Sequence, residues 1–286
     1  MTALFALATS LLWGLADFGG GLLTRRTPAL TVVVVSQAIA AVVLGVIVVS
    51  TGAWSEAGDR LWFAAAAGVV GPVALICFYK ALALGPMGVV SPLGTVGVAV
   101  PVGVGLFLGE RPGLVQLAGI AVAVFGVVLA GGPQLRGAPV QRQAIVLTLV
   151  AAFGFGTVFA LIAEASTTVT GLFLALFVQR LVNVVAGGLA LYASSRRGVP
   201  ALPDGGGFPW RSLPALGFVG LADVAANGTY VIAAHHGPVT VAAALASLYP
   251  VVTALAARGF LRERLLAVQA AGAGLALVGT VLLAAG

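Results

Sequence analysis

Residues 110–129 read ERPGLVQLAGIAVAVFGVVL, and residues 263–282 read ERLLAVQAAGAGLALVGTVL. Glu110, Arg111, Val115, Gln116, Ala118, Gly119, Ala123, Gly126, Val128 and Leu129 all recur 153 positions later. Upstream, Tyr79 and the Gly85-Pro86 junction recur as Tyr230 and Gly237-Pro238, at offsets of 151 and 152. Matches between small apolar residues come easily in a chain so rich in them. The Glu, Arg and Gln matches and the Gly-Pro junctions do not. The chain therefore reads as one unit written twice.

Each copy of the quoted stretch is mostly an unbroken apolar run. About 20 such residues, wound as a helix, cross the hydrocarbon of a bilayer. Ten runs of this kind can be marked: 3–23, 30–50, 61–83, 86–108, 113–132, 144–163, 171–193, 213–234, 238–257 and 265–285. Strands of a membrane barrel would be about half as long and would alternate in polarity, so helices are expected. The composition agrees. Of 286 residues 60% are hydrophobic and 8% charged, and the mean hydropathy is +1.15. A soluble domain carries about 25% charged residues. Here 14 Lys and Arg and 8 Asp and Glu are too few to cover a water-facing surface, which excludes a soluble enzyme. The 40 glycines follow no triplet period, which excludes collagen, and the apolar content excludes disorder. The expected fold is an all-α polytopic membrane protein of ten transmembrane helices in two inverted five-helix repeats. The first repeat covers 1–132, a linker 133–143, and the second repeat 144–286. Five spans per repeat, an odd number, turn the second copy upside down relative to the first.

The charges lie between the runs. Connections after odd-numbered runs carry Arg25, Arg26, Arg136, Arg142, Arg196, Arg197, Arg211, Arg258, Arg262 and Arg264. Those after even-numbered runs carry Arg60 and Arg111, beside Glu56, Asp59 and Glu110. Basic loops stay in the cytoplasm, so both termini are expected outside a cytoplasmic (inner) membrane. The net charge of +6 is then a matter of orientation and anionic lipid, with no nucleic-acid partner. No basic residue precedes the first run and Arg25-Arg26 follow it, so a retained span is expected rather than a cleaved signal. The connections are short. The longest, 194–212, is rich in Pro and Gly and too small to be a domain. The single cysteine, Cys77, excludes an internal disulfide and reads as a buried thiol.

With Leu12-Trp13-Gly14, the two Gly-Pro junctions, Tyr249-Pro250 and the paired blocks at 110–126 and 263–279, the chain resembles the EamA-like, ten-helix branch of the drug/metabolite transporter superfamily. The resemblance covers nearly the whole chain. It implies a small-molecule exporter or importer and a central cavity lined by spans 1, 3, 4, 6, 8 and 9. It also implies cytoplasmic termini, opposite to the charge count of ten to two.

Ionisable groups deep in a bilayer are costly and face a cavity or a partner. Three are deep here: Asp17 in span one, Arg180 in span seven and Asp223 in span eight. Asp223, Asn227 and Tyr230 are spaced to share one helix face, which suits a solvated cavity. A carboxylate out of bulk water favours its neutral form, which suits proton coupling at Asp223 or Asp17. The alternative is that Asp223 merely pairs with Arg180 and ties spans together. Asp17 has the alternative partners Lys80 and Arg25. Gly19, Gly20 and Gly21 could break span one beside it, as in discontinuous transporter helices, or could serve close packing. Gln179, Arg180 and Asn183 form a second polar cluster, and the resemblance puts span seven on the periphery, so Arg180 is read as a structural ion pair. Gln37 reads as an interhelical hydrogen bond and Lys80 as snorkelling to headgroups.

Trp13, Phe153, Phe155 and Tyr249 lie inside spans and could wall a cavity or cage a cation, or simply pack. Tyr79 joins them as the repeat mate of Tyr230. Trp54, Trp62 and Trp210 fall at span ends, as an interfacial belt does. Pro72, Pro92, Pro101 and Pro250 are hinge candidates. Gly119 with Gly126, and Gly272 with Gly279, notch one helix face for close approach. Glu110 and Glu263, with arginines next door, read as interfacial ion pairs. His235-His236 point about 100° apart on a helix and chelate poorly, so no metal is expected. The substrate- and proton-binding candidates are thus Trp13, Asp17, Tyr79, Phe155, Asp223, Asn227, Tyr230 and Tyr249.

The function expected is secondary-active transport of small metabolites (amino acids, amines or organic cations) by alternating access. Export is favoured; proton coupling through Asp223 or Asp17 and passive or exchange transport are equally compatible with the sequence. No GxxxxGK[ST] occurs, so no nucleotide cofactor is expected. The expected partners are a small-molecule substrate and the bilayer, and the expected state is a monomer or weak homodimer. The alternatives are a non-transporting membrane subunit and an intramembrane enzyme. The latter lacks HExxH, GxSxG or a cysteine cluster.

Overall fold

The computed structural model describes residues 1–98, 100, 113–131, 141–198, 210–236, 242, 245–246, 248–263 and 266–285. The expectations placed on Pro101, Glu110, Arg111, Arg136, the 199–209 loop, Gly237-Pro238 and Arg264 lie outside them, as do those on the side chains of Gln116, His235 and Gln269.

The described residues form ten α-helices and no strand. They are α1 (Thr2–Thr24), α2 (Ala29–Thr51), α3 (Leu61–Leu84), α4 (Met87–Gly94), α5 (Leu114–Gly131), α6 (Arg142–Ala165), α7 (Val169–Arg196), α8 (Leu213–His235), α9 (Tyr249–Leu261) and α10 (Ala267–Ala285). Six of them, α1, α2, α3, α6, α7 and α8, are long and apolar enough to cross a membrane. At 23 residues, α1 is about 34 Å long, against about 30 Å of hydrocarbon.

Side-chain placement explains why this bundle belongs in lipid. Its core is built mainly of alanine and glycine, while Leu4, Leu7 and Leu11 on α1, Val42, Val46 and Val49 on α2, and Val185 and Leu189 on α7 stand outside. Water would drive those large residues inward. Lipid has no such preference, and small residues at the crossings let backbones meet. Phe153 is 56% exposed and belongs to this outer face, not to a cavity wall. Trp54, Trp62 and Trp210 are also exposed, near helix ends.

The main partner of each helix lies in the other half of the chain. α1 packs on α8, α2 on α7, α3 on α6 and α7, α4 on α9, and α5 on α10. The closest approaches come in pairs. A Cβ on Gly14 would strike Tyr249 O and Val252, and one on Gly156 would strike Gly97 O and Val100, each target 152 positions from its counterpart. Likewise, Gly68 lies against Gln179 and Val182, and Gly220 against Ser36 and Ala40. Gly45 meets Phe177, and Gly187 meets Val34. On α5, a Cβ at Gly126 would come within 2.8 Å of Gly272 O on α10. Gly126→Val is therefore expected to force these two backbones apart, at a cost of about 1–3 kcal/mol. A lowered unfolding midpoint in detergent is the readout, and an unchanged midpoint would deny the close crossing.

The sequence expectation fails in three places, and in span one the structure decides between two readings. Span four is not one continuous helix: α4 stops at Gly94, and a tighter 3₁₀ stretch, Thr95–Val98, follows. Pro92 lacks the amide that would bond one turn back, and Gly94 is a poor helix former. Span one, by contrast, runs unbroken through Gly19, Gly20 and Gly21. These glycines serve contact: Gly20 faces the Tyr79 ring, and Gly21 faces Leu82 and Met87. Pro250 sits in the first turn of α9, where its missing amide costs nothing, so it is not an interior kink. Gln37 is buried, but its Oε1 has no hydrogen-bond partner among the described residues.

The connections gather at two ends. At one, Arg25 pairs with Glu263 at 3.3 Å, and Glu263 Oε2 accepts the Met87 amide at the start of α4 at 2.9 Å. At the other, Thr168 and Thr170 donate to Glu56, at 3.0 and 3.1 Å, and Arg60 faces Glu164 at 3.9 Å. The first end joins the connections after α1, α3 and α9; the second joins those after α2 and α6. Arg262 takes a left-handed conformation at the end of α9, with φ 55°, and so turns Glu263 inward. Glu263→Ala removes both the cap and the ion pair, with an expected loss of about 1–2 kcal/mol. A thermal midpoint equal to that of the native protein would show that this tie carries no stability.

Candidate functional site

Asp17 projects from α1 about 10 Å before the helix ends at the Arg25 side of the bundle. Trp13 lies one turn earlier on the same face. Its ring centroid is 6.1 Å from Tyr230 on α8 and 6.1 Å, edge-on, from Tyr249 on α9. The Tyr79 ring of α3 lies on Gly20, three residues beyond Asp17. Asp17, one turn from Trp13 and three residues from Gly20, lies on the stretch of α1 that these rings pack against. The structure thus brings Asp17, Trp13, Tyr79, Tyr230 and Tyr249 together from four helices of both halves.

Asp223 has a different setting. Arg180 Nη2 donates to its Oδ2 at 2.5 Å, and Asn227 Nδ2 donates to its Oδ1 and its backbone oxygen, at 3.4 and 2.7 Å. Arg180 Nη1 in turn donates to Gln179 Oε1 at 2.8 Å. The Arg180 and Asp223 side chains are 9% and 22% exposed. Asn227 supports Asp223, so it presents its amide to a neighbour rather than to a ligand.

Asp17 differs from Asp223 in having no ion pair or hydrogen bond among the described residues. Neither partner named from the sequence reaches it: Arg25 is held by Glu263, and Lys80 is exposed. Asp17 is half-buried, yet close enough to Asp223 to share its field. Behind the ion pair, Arg180 Nε and both polar atoms of Asn183 are buried without partners among the described residues.

Phe155, on α6, packs against the hydrophobic cluster that includes Phe78 and Tyr79. It packs edge-on against Phe78 at 5.4 Å. By the spacing that relates Gly14 to Gly156 it is the counterpart of Trp13; by that relating Gly68 to Gly220, Phe78, and not Tyr79 as the repeat offset in the sequence suggests, is the counterpart of Tyr230. Each of the two aromatic pairs therefore joins one half to the other. The charges do not repeat. At the same spacings Asp17 corresponds to Phe159, Arg180 to Ala38 and Asp223 to Gly71.

Sequence reasoning missed the hydroxyl pairs that cross between helices. Thr9 meets Thr229 at 2.9 Å, joining α1 to α8 beside the site, and Thr95 meets Thr280 at 2.9 Å. Buried threonines in apolar runs were the available signal. His236 lies exposed at the end of α8 with its Nδ1 against Ile232 O at 2.9 Å. No cluster of three metal-ligating side chains occurs among the described residues.

The family model of the EamA-like transporter family matches the chain twice, over residues 1–132 and 142–285. The chain belongs to the EamA-like transporter family. A crystal structure shares its fold: the TM-score is 0.58 with 19% identity, over 99% of this chain and 96% of the other. No sequence among the curated proteins matches. Membership in a transporter family, with six helices apolar and long enough to span, makes this a multi-pass membrane protein. The two family matches correspond to the two halves whose helices pack on one another, and the residues gathered around Trp13 come from both halves of this EamA-like chain.

Proposed function

We propose that this protein is a secondary-active transporter of small metabolites, working by alternating access of two inverted five-helix halves. One observation carries the reading: an unpaired carboxylate, Asp17, stands among aromatic side chains drawn from both halves. A site shared by two packed units is exposed to either side when the units rock. The paired close approaches support the inversion. Gly14 against α9 and Gly156 on the segment after α4 are alike in neighbours but come from opposite halves. The 3₁₀ stretch after α4 supplies a softened element beside α6 and α10.

Proton coupling falls to Asp17 in this proposal. Asp223, the other carboxylate considered for it, is held by Arg180 and Asn227. Export is the favoured direction, and amino acids, amines and organic cations form the candidate range. The end with Arg25, Arg26, Arg142, Arg196, Arg197, Arg211, Arg258 and Arg262 faces the cytoplasm of a cytoplasmic membrane, and both termini lie outside. A tag on the C-terminus is expected to react with a membrane-impermeant reagent on intact cells. Labelling only after lysis would reverse the orientation.

The test of transport is flux in proteoliposomes across a panel of amino acids, amines and organic cations, with and without a pH gradient. Gradient-dependent accumulation of at least one is expected. Flux equal to that of protein-free vesicles across the whole panel would remove the proposal.

A further inference from the structure

The transporter reading leaves the charge of the substrate open, and the arrangement of charges in the site narrows it. Three ionisable groups lie inside the bundle near the shared site. Arg180 and Asp223 neutralise each other at 2.5 Å. Both terminal nitrogens of Arg180 are engaged, one by Asp223 and one by Gln179, while its Nε is buried without a partner among the described residues. The positive charge of the guanidinium is therefore already matched by Asp223. Asp17 has no ion pair or hydrogen bond among the described residues. Among the described residues, Arg25 is bound to Glu263, and Arg26, Lys80, Arg142, Arg258 and Arg262 are exposed. The site is left with one carboxyl group that no described cation pairs.

The neighbours of that carboxyl group point the same way. Trp13 stands one turn from Asp17 on α1, the Tyr79 ring lies on Gly20, and Tyr230 and Tyr249 stand 6.1 Å from the Trp13 ring. Aromatic faces attract cations, Trp most strongly. An anion would meet a carboxyl group and π-faces together. The carboxylate of a zwitterion would compete with Asp223 for Arg180. A neutral solute would give Asp17 no counter-charge.

We propose that the site selects a monovalent organic cation, an amine or quaternary ammonium with an apolar body, whose nitrogen sits between the Asp17 carboxylate and the rings of Trp13, Tyr79 and Tyr249. This rests on the transporter reading of the same site. It adds that one charge class is taken and the others are refused.

Three probes share a benzyl body and differ in charge: benzyltrimethylammonium, phenylalanine and phenylacetate. Each is titrated by calorimetry into the purified native protein, then tested for flux in proteoliposomes. Benzyltrimethylammonium is expected to bind, and phenylalanine and phenylacetate to bind at least tenfold more weakly. Trp13→Ala should weaken the cation by about tenfold, and Asp17→Asn should abolish its binding while Asp17→Glu restores part of it. Tighter binding of phenylalanine or phenylacetate, or binding of none of the three, overturns the cation assignment. Flux of phenylalanine or phenylacetate without benzyltrimethylammonium overturns it while leaving the transporter reading in place. Binding of the cation with no flux of any solute in a wide panel sustains the assignment and removes the transporter reading. The ranking in the native protein decides the matter even if a variant fails to fold.

Discussion

Asp17→Asn is expected to reduce gradient-driven accumulation in proteoliposomes to the level of vesicles without protein, while the variant elutes as a single species and unfolds near the native temperature. Asparagine keeps the size of the side chain and cannot release a proton or balance a cation. Stability should not fall, because Asp17 has no partner to lose, and removing an unpaired charge from the interior is favourable. Uphill accumulation by Asp17→Asn at the native rate would show that the coupling group lies elsewhere. The contrast with Asp223 is informative. Asp223→Asn strands Arg180, so its first effect should be on folding and yield, with transport lost in proportion to the folded protein.

The second large effect is on stability. Arg180→Ala leaves Asp223 buried with only Asn227 as a partner. Breaking one side of a buried pair costs about 3–5 kcal/mol, enough to unfold a marginal protein. Combining Arg180→Gln with Asp223→Asn removes both charges and should recover most of the loss. A double-mutant cycle on thermal midpoints measures the coupling. Additive losses would mean that the two side chains act separately, despite the 2.5 Å contact.

Much of this fold is legible in the sequence, because lipid leaves few choices. A long apolar run must satisfy its own backbone and so becomes a helix. The expected runs at 3–23, 30–50 and 61–83 differ from α1, α2 and α3 by one residue or none at each end. Span four was misread because hydropathy is blind to the local chemistry of Pro92 and Gly94, which end α4 inside an apolar run. The three glycines of α1 have two readings, a break or close packing, and the neighbouring side chains that fill the space decide for packing. The three deep charges are visible at once as candidates, and the Arg180–Asp223 pair is one alternative among them. That Asp17 is left without a partner among the described residues is not legible, because pairing depends on which faces meet. That Arg180 reaches Asp223 while neither Arg25 nor Lys80 reaches Asp17 follows from helix order and rotation, which no single sequence states.

The close crossings repeat between the halves, while the charges do not. Severing the chain in the 132–140 stretch would therefore give two pieces of unequal chemistry. The first piece carries Asp17 alone; the second carries Arg180 and Asp223, already neutral together. Two copies of the first piece, docked through the same glycine notches, would carry two carboxylates, the second at the place of Phe159, which is 56% exposed. Two copies of the second would offer no free charge at all. Only the mixed assembly holds a single negative group in an aromatic setting. The duplicated scaffold is thus interchangeable, and the site depends on the halves having become different.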